Sequence, residues 1–267
     1  MSSAGLHDPF FRVVTAPAFS RHHIADLAAG RCAVLRVPEL LSEATCAQLV
    51  DCLLTADFDS YGRERVHPAV MRFGVGVSDH RTEGGIADTY WPALDAARRA
   101  WRSLPLPFDP LEAARRALTS DWPGRSGIAR HRGRELGPGV AREAPQGFLV
   151  HFDDAVREFP ASRRDDPPVA QLAFNLYLAM PESGGETVVW RHRWHPADEA
   201  FRPVNSYGFT EECVQGAEEL EIKPAVGEAL LFDSRNYHAV RPGGSGRRIT
   251  LGFSVGLTAH GELLAWG

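Results

Sequence analysis

Cysteine is scarce in this chain: four in 267 residues, at Cys32, Cys46, Cys52 and Cys213. None forms a C-x-x-C pair, which argues against a disulfide framework or a zinc knuckle. The four read as reduced, mostly buried thiols. Long apolar runs are also missing, and none approaches the 18 residues a membrane span needs. The opening MSSAGLHDPFFRVV has neither a basic n-region nor an apolar h-region of signal length. The expectation is a soluble, cytoplasmic protein with no membrane partner. Basic charge is not in excess: 29 Lys and Arg against 34 Asp and Glu leave a net charge of -5, which argues against a nucleic-acid partner. Arginines cluster only between Arg125 and Arg134, where a solvated, mobile loop is expected.

Several functional signatures are absent as well. There is no G-x-x-x-x-G-K-[ST] and no G-x-G-x-x-G after a strand. Ser206, Ser234 and Ser254 lack the glycines of a nucleophile elbow. His192 and His195 stand three apart in H-R-W-H, but no Cys or third His is near them in sequence, so they read as loop residues. No internal repeat is visible.

The length suits one large domain, and hydrophobic residues at 44% are ordinary for a globular protein. A stretch biased to Arg, Gly and Pro, from Trp122 to Pro145, separates a helix-rich front from a strand-rich back. In the front, Ser42 precedes E-A-T-C-A-Q-L-V-D-C-L-L as an N-cap would, with Glu43 in the first turn. Two further helices are expected over 88–102 and 110–119, the second capped by Asp109 with Pro110 at its first position. Leu94, Ala97, Trp101, Leu111, Ala114 and Leu118 form their apolar faces. Front strands are expected over 31–37 and 71–78. The back half changes to short β-rich runs at 147–151, 169–180, 186–191, 220–223, 229–233, 238–241 and 248–257, punctuated by Gly and Pro turns. Such a series predicts a mostly β fold, a jelly roll, with the earlier helices packed on one sheet. The expected organisation is a single domain over 1–267: a helix-rich part (1–145), a jelly-roll core (146–258) and a C-terminal tail (259–267).

Within that pattern stands His151-Phe152-Asp153, with His238 85 residues after the aspartate and Arg248 ten further on. Two imidazoles and a carboxylate in this order can occupy one face of an octahedral Fe(II), leaving three positions open. Alone, His-x-Asp means little: 11 histidines and 34 acidic residues supply about one such tripeptide by chance, and His260-Gly261-Glu262 is a decoy. Context separates them. His151 ends an apolar strand, a period of two puts Asp153 on the same face, and no histidine follows His260.

The back half resembles the Fe(II)/2-oxoglutarate-dependent oxygenases, in the branch that includes prolyl 4-hydroxylase-like enzymes. The resemblance rests on H-F-D at 151–153, N-L-Y-L at 175–178, G-G-E-T at 184–187, P-A-V-G-E-A-L-L-F-D-S-R-N-Y-H-A-V-R-P at 224–242 and R-R-I-T-L-G-F at 247–253. S-R-N-Y-H-A-V and the W-R-H-R-W segment are similar to standalone hydroxylases and halogenases of free amino acids. The resemblance implies that His151, Asp153 and His238 ligate iron. It implies that Arg248 binds the distal carboxylate of 2-oxoglutarate, with Thr250 on the same strand face and Tyr177 adding a hydrogen bond. Asp153 fills the position that halogenases of this type leave to Gly or Ala, so hydroxylation is expected. The implied chemistry uses O2 and 2-oxoglutarate, with a ferryl abstracting hydrogen and hydroxyl rebounding to carbon. The helical front and the loops are expected to close over the site.

The expected substrate is a small molecule: a free polar or charged L-amino acid, or a close derivative. Arg72 is the candidate for its carboxylate, Asp154 for its ammonium, and Trp266 for a lid. The alternatives are an oxygenase of a protein side chain or larger natural product, and a non-catalytic jelly-roll binding module. A zinc hydrolase is disfavoured, because zinc chemistry does not call for an arginine at the position of Arg248.

Overall fold

Alternation along the strands decides which side chains meet helices and which meet the site. The computed structural model describes residues 8–62, 66, 68–83, 85–158 and 167–267. The first seven residues, part of the segment read for an export signal, lie outside these. Eight strands build the back half: β1 (Val140–Glu143), β2 (Phe148–His151), β3 (Pro168–Ala179), β4 (Thr187–Arg193), β5 (Glu219–Ile222), β6 (Ala229–Asp233), β7 (Asn236–Val240) and β8 (Ile249–Thr258). They form two antiparallel sets, ordered β6-β3-β8-β1 and β2-β7-β4-β5. Val34–Val37 extends the first set beyond β6, and Met71–Phe73 extends it beyond β1.

Four helices come from the front: α1 (Arg21–Ala28), α2 (Glu43–Leu53), α3 (Tyr90–Ser103) and α4 (Pro110–Thr119). The side chains of Ser42 and Asp109 accept hydrogen bonds from the Thr45 and Glu112 amides, capping α2 and α4. Leu172, Phe174, Leu176 and Leu178 of β3 face outward with Ile249, Leu251, Phe253 and Val255 of β8. They pack against Ile24, Leu49, Leu111 and Leu118 of the helices. Each such burial contributes about 1.5–3 kcal/mol. The alternate residues, Ala173 and Asn175 on β3 with Thr250 and Ser254 on β8, line the cavity behind the sheet. A one-residue slip would exchange the two sets, so the apolar pattern that seats the helices also fixes the site.

Three expectations change here. The helices do not close over the site; α1, α2 and α4 occupy the opposite face of the large sheet, because that is where its apolar rows point. The site is covered instead by Tyr61, Val66 and Val70, which pack with Ala144, Phe148 and Tyr207. The end of the chain is not a tail: Leu263–Trp266 pairs with β8 on one side and with Ser126–Ile128 on the other. The arginines at 125, 130, 132 and 134 are exposed, as expected. Their segment is nevertheless ordered in short strands at Ser126–Ile128, Arg130–His131 and Arg134–Glu135. The four cysteines are free thiols, three of them buried. No helix among the described residues is long and apolar enough to cross a membrane.

Candidate metal and cosubstrate site

His151 and His238 are register partners across β2 and β7, with ring centroids 4.1 Å apart. Asp153, just past the end of β2, is held at the backbone from both directions. Its amide donates to Ser234 O at 2.8 Å, and Ser234 Oγ donates to Asp153 O at 3.0 Å. Ligand-capable atoms of the three residues lie within 4.8 Å of one another. The sequence motif and the distant histidine therefore do converge.

The donor set is prepared for a cation. Nδ1 of His151 lies 2.7 Å from Leu149 O, and Nδ1 of His238 lies 3.0 Å from Asn236 O. A carbonyl only accepts, so each Nδ1 carries the hydrogen and each Nε2 keeps its lone pair for a metal. Burial, reinforced by the neighbouring His238, pushes the His151 imidazole down to about 3, keeping it neutral at physiological pH. Burial would raise the Asp153 carboxyl, but the His238 contact and the two nearby imidazoles outweigh it and hold it well below the usual carboxylate range. Two imidazoles, each with Nε2 free to coordinate, and one carboxylate fit a divalent first-row metal such as Fe(II).

Tyr207 also meets this centre, from a segment that carries no periodic signal. It sits in a loop 54 residues beyond Asp153 and donates its hydroxyl to Asp153 Oδ1. Glu158 also lies within reach, at 3.2 Å. Burial, and then the Asp153 charge, push the Glu158 carboxyl up to about 8.

Arg248 lines the same cavity and is only 5% exposed. Its Nε donates to Gly185 O at 3.0 Å and its Nη2 to Thr187 Oγ1 at 3.2 Å. Thr187 in turn meets Tyr177 Oη at 2.7 Å, and the Tyr177 ring lies 5.2 Å from the guanidinium carbon. Two of the five guanidinium N–H donors are thus committed, which leaves three for an anion. Burial lowers the Arg248 pKa while the Tyr177 side chain opposes the shift. Thr250 lines the cavity and is the register partner of Tyr177. Thr187 ends the G-G-E-T run, whose role in seating Arg248 was hidden in the sequence.

The candidate substrate residues fare differently. Arg72 is buried, ion-paired with Asp79 and stacked 4.6 Å from the Tyr61 ring centroid. Asp154 caps a short helix, accepting from the Val156 and Arg157 amides, and does not line the cavity. Trp266 lies in the final strand opposite Ser254, buried against Gly256, and so is a fixed part of the sheet with no lid geometry. Cys213, isolated in sequence, meets His192 and Asp198 in a second cluster. The Asp198 carboxylate there already serves His192, the Tyr237 hydroxyl and the His195 amide, which marks a structural hub. The decoy His260 is exposed in a turn.

Comparison with known proteins agrees with this picture. Residues 144–265 match the family model described as carrier-protein-independent halogenase WelO5. The whole chain is 42% identical, over 269 residues and 100% of both chains, to L-gamma-glutamyl-L-propargylglycine hydroxylase of Streptantibioticus cattleyicolor. Over 90 residues, 34% of this chain and 28% of the other, it is 36% identical to probable prolyl 4-hydroxylase 3 of Arabidopsis thaliana. A crystal structure of an N-substituted L-amino acid dioxygenase from Burkholderia ambifaria has a TM-score of 0.59 at 16% identity, covering 92% of this chain and 91% of that one. The chain belongs to the Fe(II)/2-oxoglutarate-dependent oxygenases, in the branch shared by prolyl 4-hydroxylase-like enzymes and standalone hydroxylases and halogenases. It is a dioxygenase of the hydroxylating kind.

Proposed function

We propose that the protein hydroxylates an L-amino acid or, more specifically, an N-acylated derivative of one, such as a γ-glutamyl dipeptide. The relative that matches over its full length is named for a γ-glutamyl amino acid, and this is the chief support for the derivative. The observation that carries the reading is that His151, Asp153, His238 and Arg248 line one cavity. His151, Asp153 and His238 would hold Fe(II), and Arg248, with Thr187, Tyr177 and Thr250 around it, would hold the far carboxylate of 2-oxoglutarate. Bound Fe(II) and 2-oxoglutarate supply the oxygen activation and oxidising power for C–H hydroxylation with O2.

The chain's own contribution is geometry and charge. Backbone carbonyls fix both imidazole tautomers, and Tyr207 engages one carboxylate oxygen of Asp153 so that the other can face the metal. Arg248 offers a fixed, buried cation, for which a bidentate carboxylate contact is strong. Asp153 occupies a metal position with protein oxygen, which favours hydroxyl over halide transfer.

The strand order β6-β3-β8-β1 and β2-β7-β4-β5 supports reading the eight strands as a double-stranded β-helix, or jelly roll. We read 1–267 as a single oxygenase domain of the cytoplasm acting on a small molecule. The test is anaerobic reconstitution followed by O2 and a panel of amino acids and γ-glutamyl dipeptides. Succinate release coupled to a mass gain of one oxygen supports the reading. Uncoupled succinate with every compound counts against the substrate class, and chlorinated product in chloride counts against hydroxylation.

A further inference from the structure

The cavity has a second, half-buried cation, on the strand beside Arg248 in the same sheet. Arg142, on β1, is the register partner of Thr250 on β8 and, on its other side, of Arg72 in the strand Met71–Phe73. Thr250 is in turn the partner of Tyr177. Arg72, Arg142, Thr250 and Tyr177 therefore form one row across four strands, on the face turned away from the helices.

Two like charges directly opposite each other on a sheet repel, and burial strengthens the repulsion. Arg72 has an answer in its ion pair with Asp79 and in the face of Tyr61. Arg142 has none of that kind. Its Nε donates to the Tyr61 hydroxyl at 3.0 Å, and among the described residues no carboxylate lies within ion-pair distance. Four of its five N–H donors are left, on a guanidinium that lines the cavity shared with the metal triad.

The space in front of this guanidinium is kept open. A Cβ on Gly252 would lie 2.7 Å from Arg142 Nη1 and 3.0 Å from Asn175 Oδ1. A side chain at 252 would press on both the Arg142 fork and the Asn175 amide, and Asn175 also lines the cavity. A planar bidentate donor that lines the cavity, with no carboxylate of the described residues within ion-pair distance, suits a carboxylate.

We propose that Arg142, steadied by Tyr61 and flanked by Asn175, is the site that binds a carboxylate of the primary substrate. It is distinct from Arg248, and Arg72 lies behind it as a neutralised neighbour. The assignment rests on the substrate class proposed above. A γ-glutamyl dipeptide carries two carboxylates and one ammonium, so its net charge of -1 balances the cation that the protein leaves unpaired.

The experiment measures equilibrium binding by calorimetry to the Fe(II)–2-oxoglutarate protein under anaerobic conditions. The probes are γ-L-glutamyl-L-norvaline, its two mono-carboxamides (C-terminal and glutamyl α), and L-norvaline. The wild-type protein is expected to bind the dipeptide and to lose affinity for one of the two amides. Arg142→Gln is expected to weaken the dipeptide about 100-fold, as when one partner of a buried charge pair is truncated. It should bind that amide no more weakly than the wild type does, and its 2-oxoglutarate affinity should be unchanged. Arg142→Lys should recover part of the loss. Gly252→Ala, which crowds the guanidinium without removing it, should weaken the same carboxylate probe.

Equal binding of the dipeptide by wild type and Arg142→Gln overturns the proposal, as does a wild-type protein indifferent to both amides or unable to bind any carboxylate probe. Loss of 2-oxoglutarate affinity in Arg142→Gln would instead reassign Arg142 to the cosubstrate and equally overturn it. These outcomes are separable from failure of the γ-glutamyl part of the proposed function. That failure appears in the wild-type protein as free L-norvaline binding while both the dipeptide and its amides do not.

Discussion

Tyr207 donates to Oδ1 of Asp153, while Oδ2 of the same carboxylate lies 3.7 Å from Nε2 of His238. The two oxygens thus have different work: one is tied to the protein, the other faces the imidazoles. Removing the tie should leave the three ligands in place but loosen the carboxylate. Tyr207→Phe is expected to weaken Fe(II) binding about 10-fold, with the fold intact. Metal titration followed by competition with a chelator reads the shift, and thermal unfolding checks the fold.

Arg248 should act on the cosubstrate alone. Its replacement by Gln removes the buried cation that rests on Gly185 and Thr187. The Michaelis constant for 2-oxoglutarate should rise at least about 30-fold, and Fe(II) affinity should change little. Thr187→Val should move the same constant in the same direction by less, because it frees an Nη2 donor without deleting the charge.

The metal-free protein should lose stability in acid. His151 is neutral in the fold down to about pH 3, whereas an unfolded histidine takes a proton near 6.5. Between those values the unfolded chain binds one more proton, so acidification favours unfolding. The contribution is absent above about pH 6.5 and reaches about 2 kcal/mol at pH 5. Urea unfolding of metal-free wild type and His151→Gln at pH 7.5 and pH 5 tests it: the loss on acidification should be smaller in the variant by about that amount.

Gly184, in the G-G-E-T run, has φ +67°, and an added Cβ would run into the Pro242 carbonyl. Gly184→Ala should therefore destabilise the protein by at least about 1 kcal/mol. It should also raise the Michaelis constant for 2-oxoglutarate, because the next residue supplies the carbonyl that holds Arg248. A change in stability alone would separate the turn from the anchor.

Much of this was legible in the residues. Ser42 and Asp109 announce their helices because capping is a local device, and His151, Asp153 and Arg248 at or beside strand ends, with His238 inside a strand, stand where alternation assigns their face. What escaped depends on partners far apart in sequence. Arg142 lies in V-A-R-E, inside a stretch biased to Arg, Gly and Pro, and becomes distinctive only when register sets it between Thr250 and Arg72. Tyr207 belongs to a loop with no period. Arg72, the candidate for the substrate carboxylate, stands beside Arg142 on the next strand, and nothing in M-R-F-G predicts its ion pair with Asp79. Asp154 and Trp266 drew attention by proximity to a motif and to the chain end, and proximity does not set direction: one caps a helix and the other fills a sheet.

The central claim is that the two histidines, the aspartate and Arg248 hold iron and 2-oxoglutarate in one cavity. Anaerobic addition of Fe(II) and 2-oxoglutarate, followed by visible absorption, tests it most directly. A metal-to-ligand charge-transfer band should appear in the wild type, vanish in His238→Ala, and need far more 2-oxoglutarate in Arg248→Gln. A wild type without the band, or a band that survives unchanged in His238→Ala, would contradict the account.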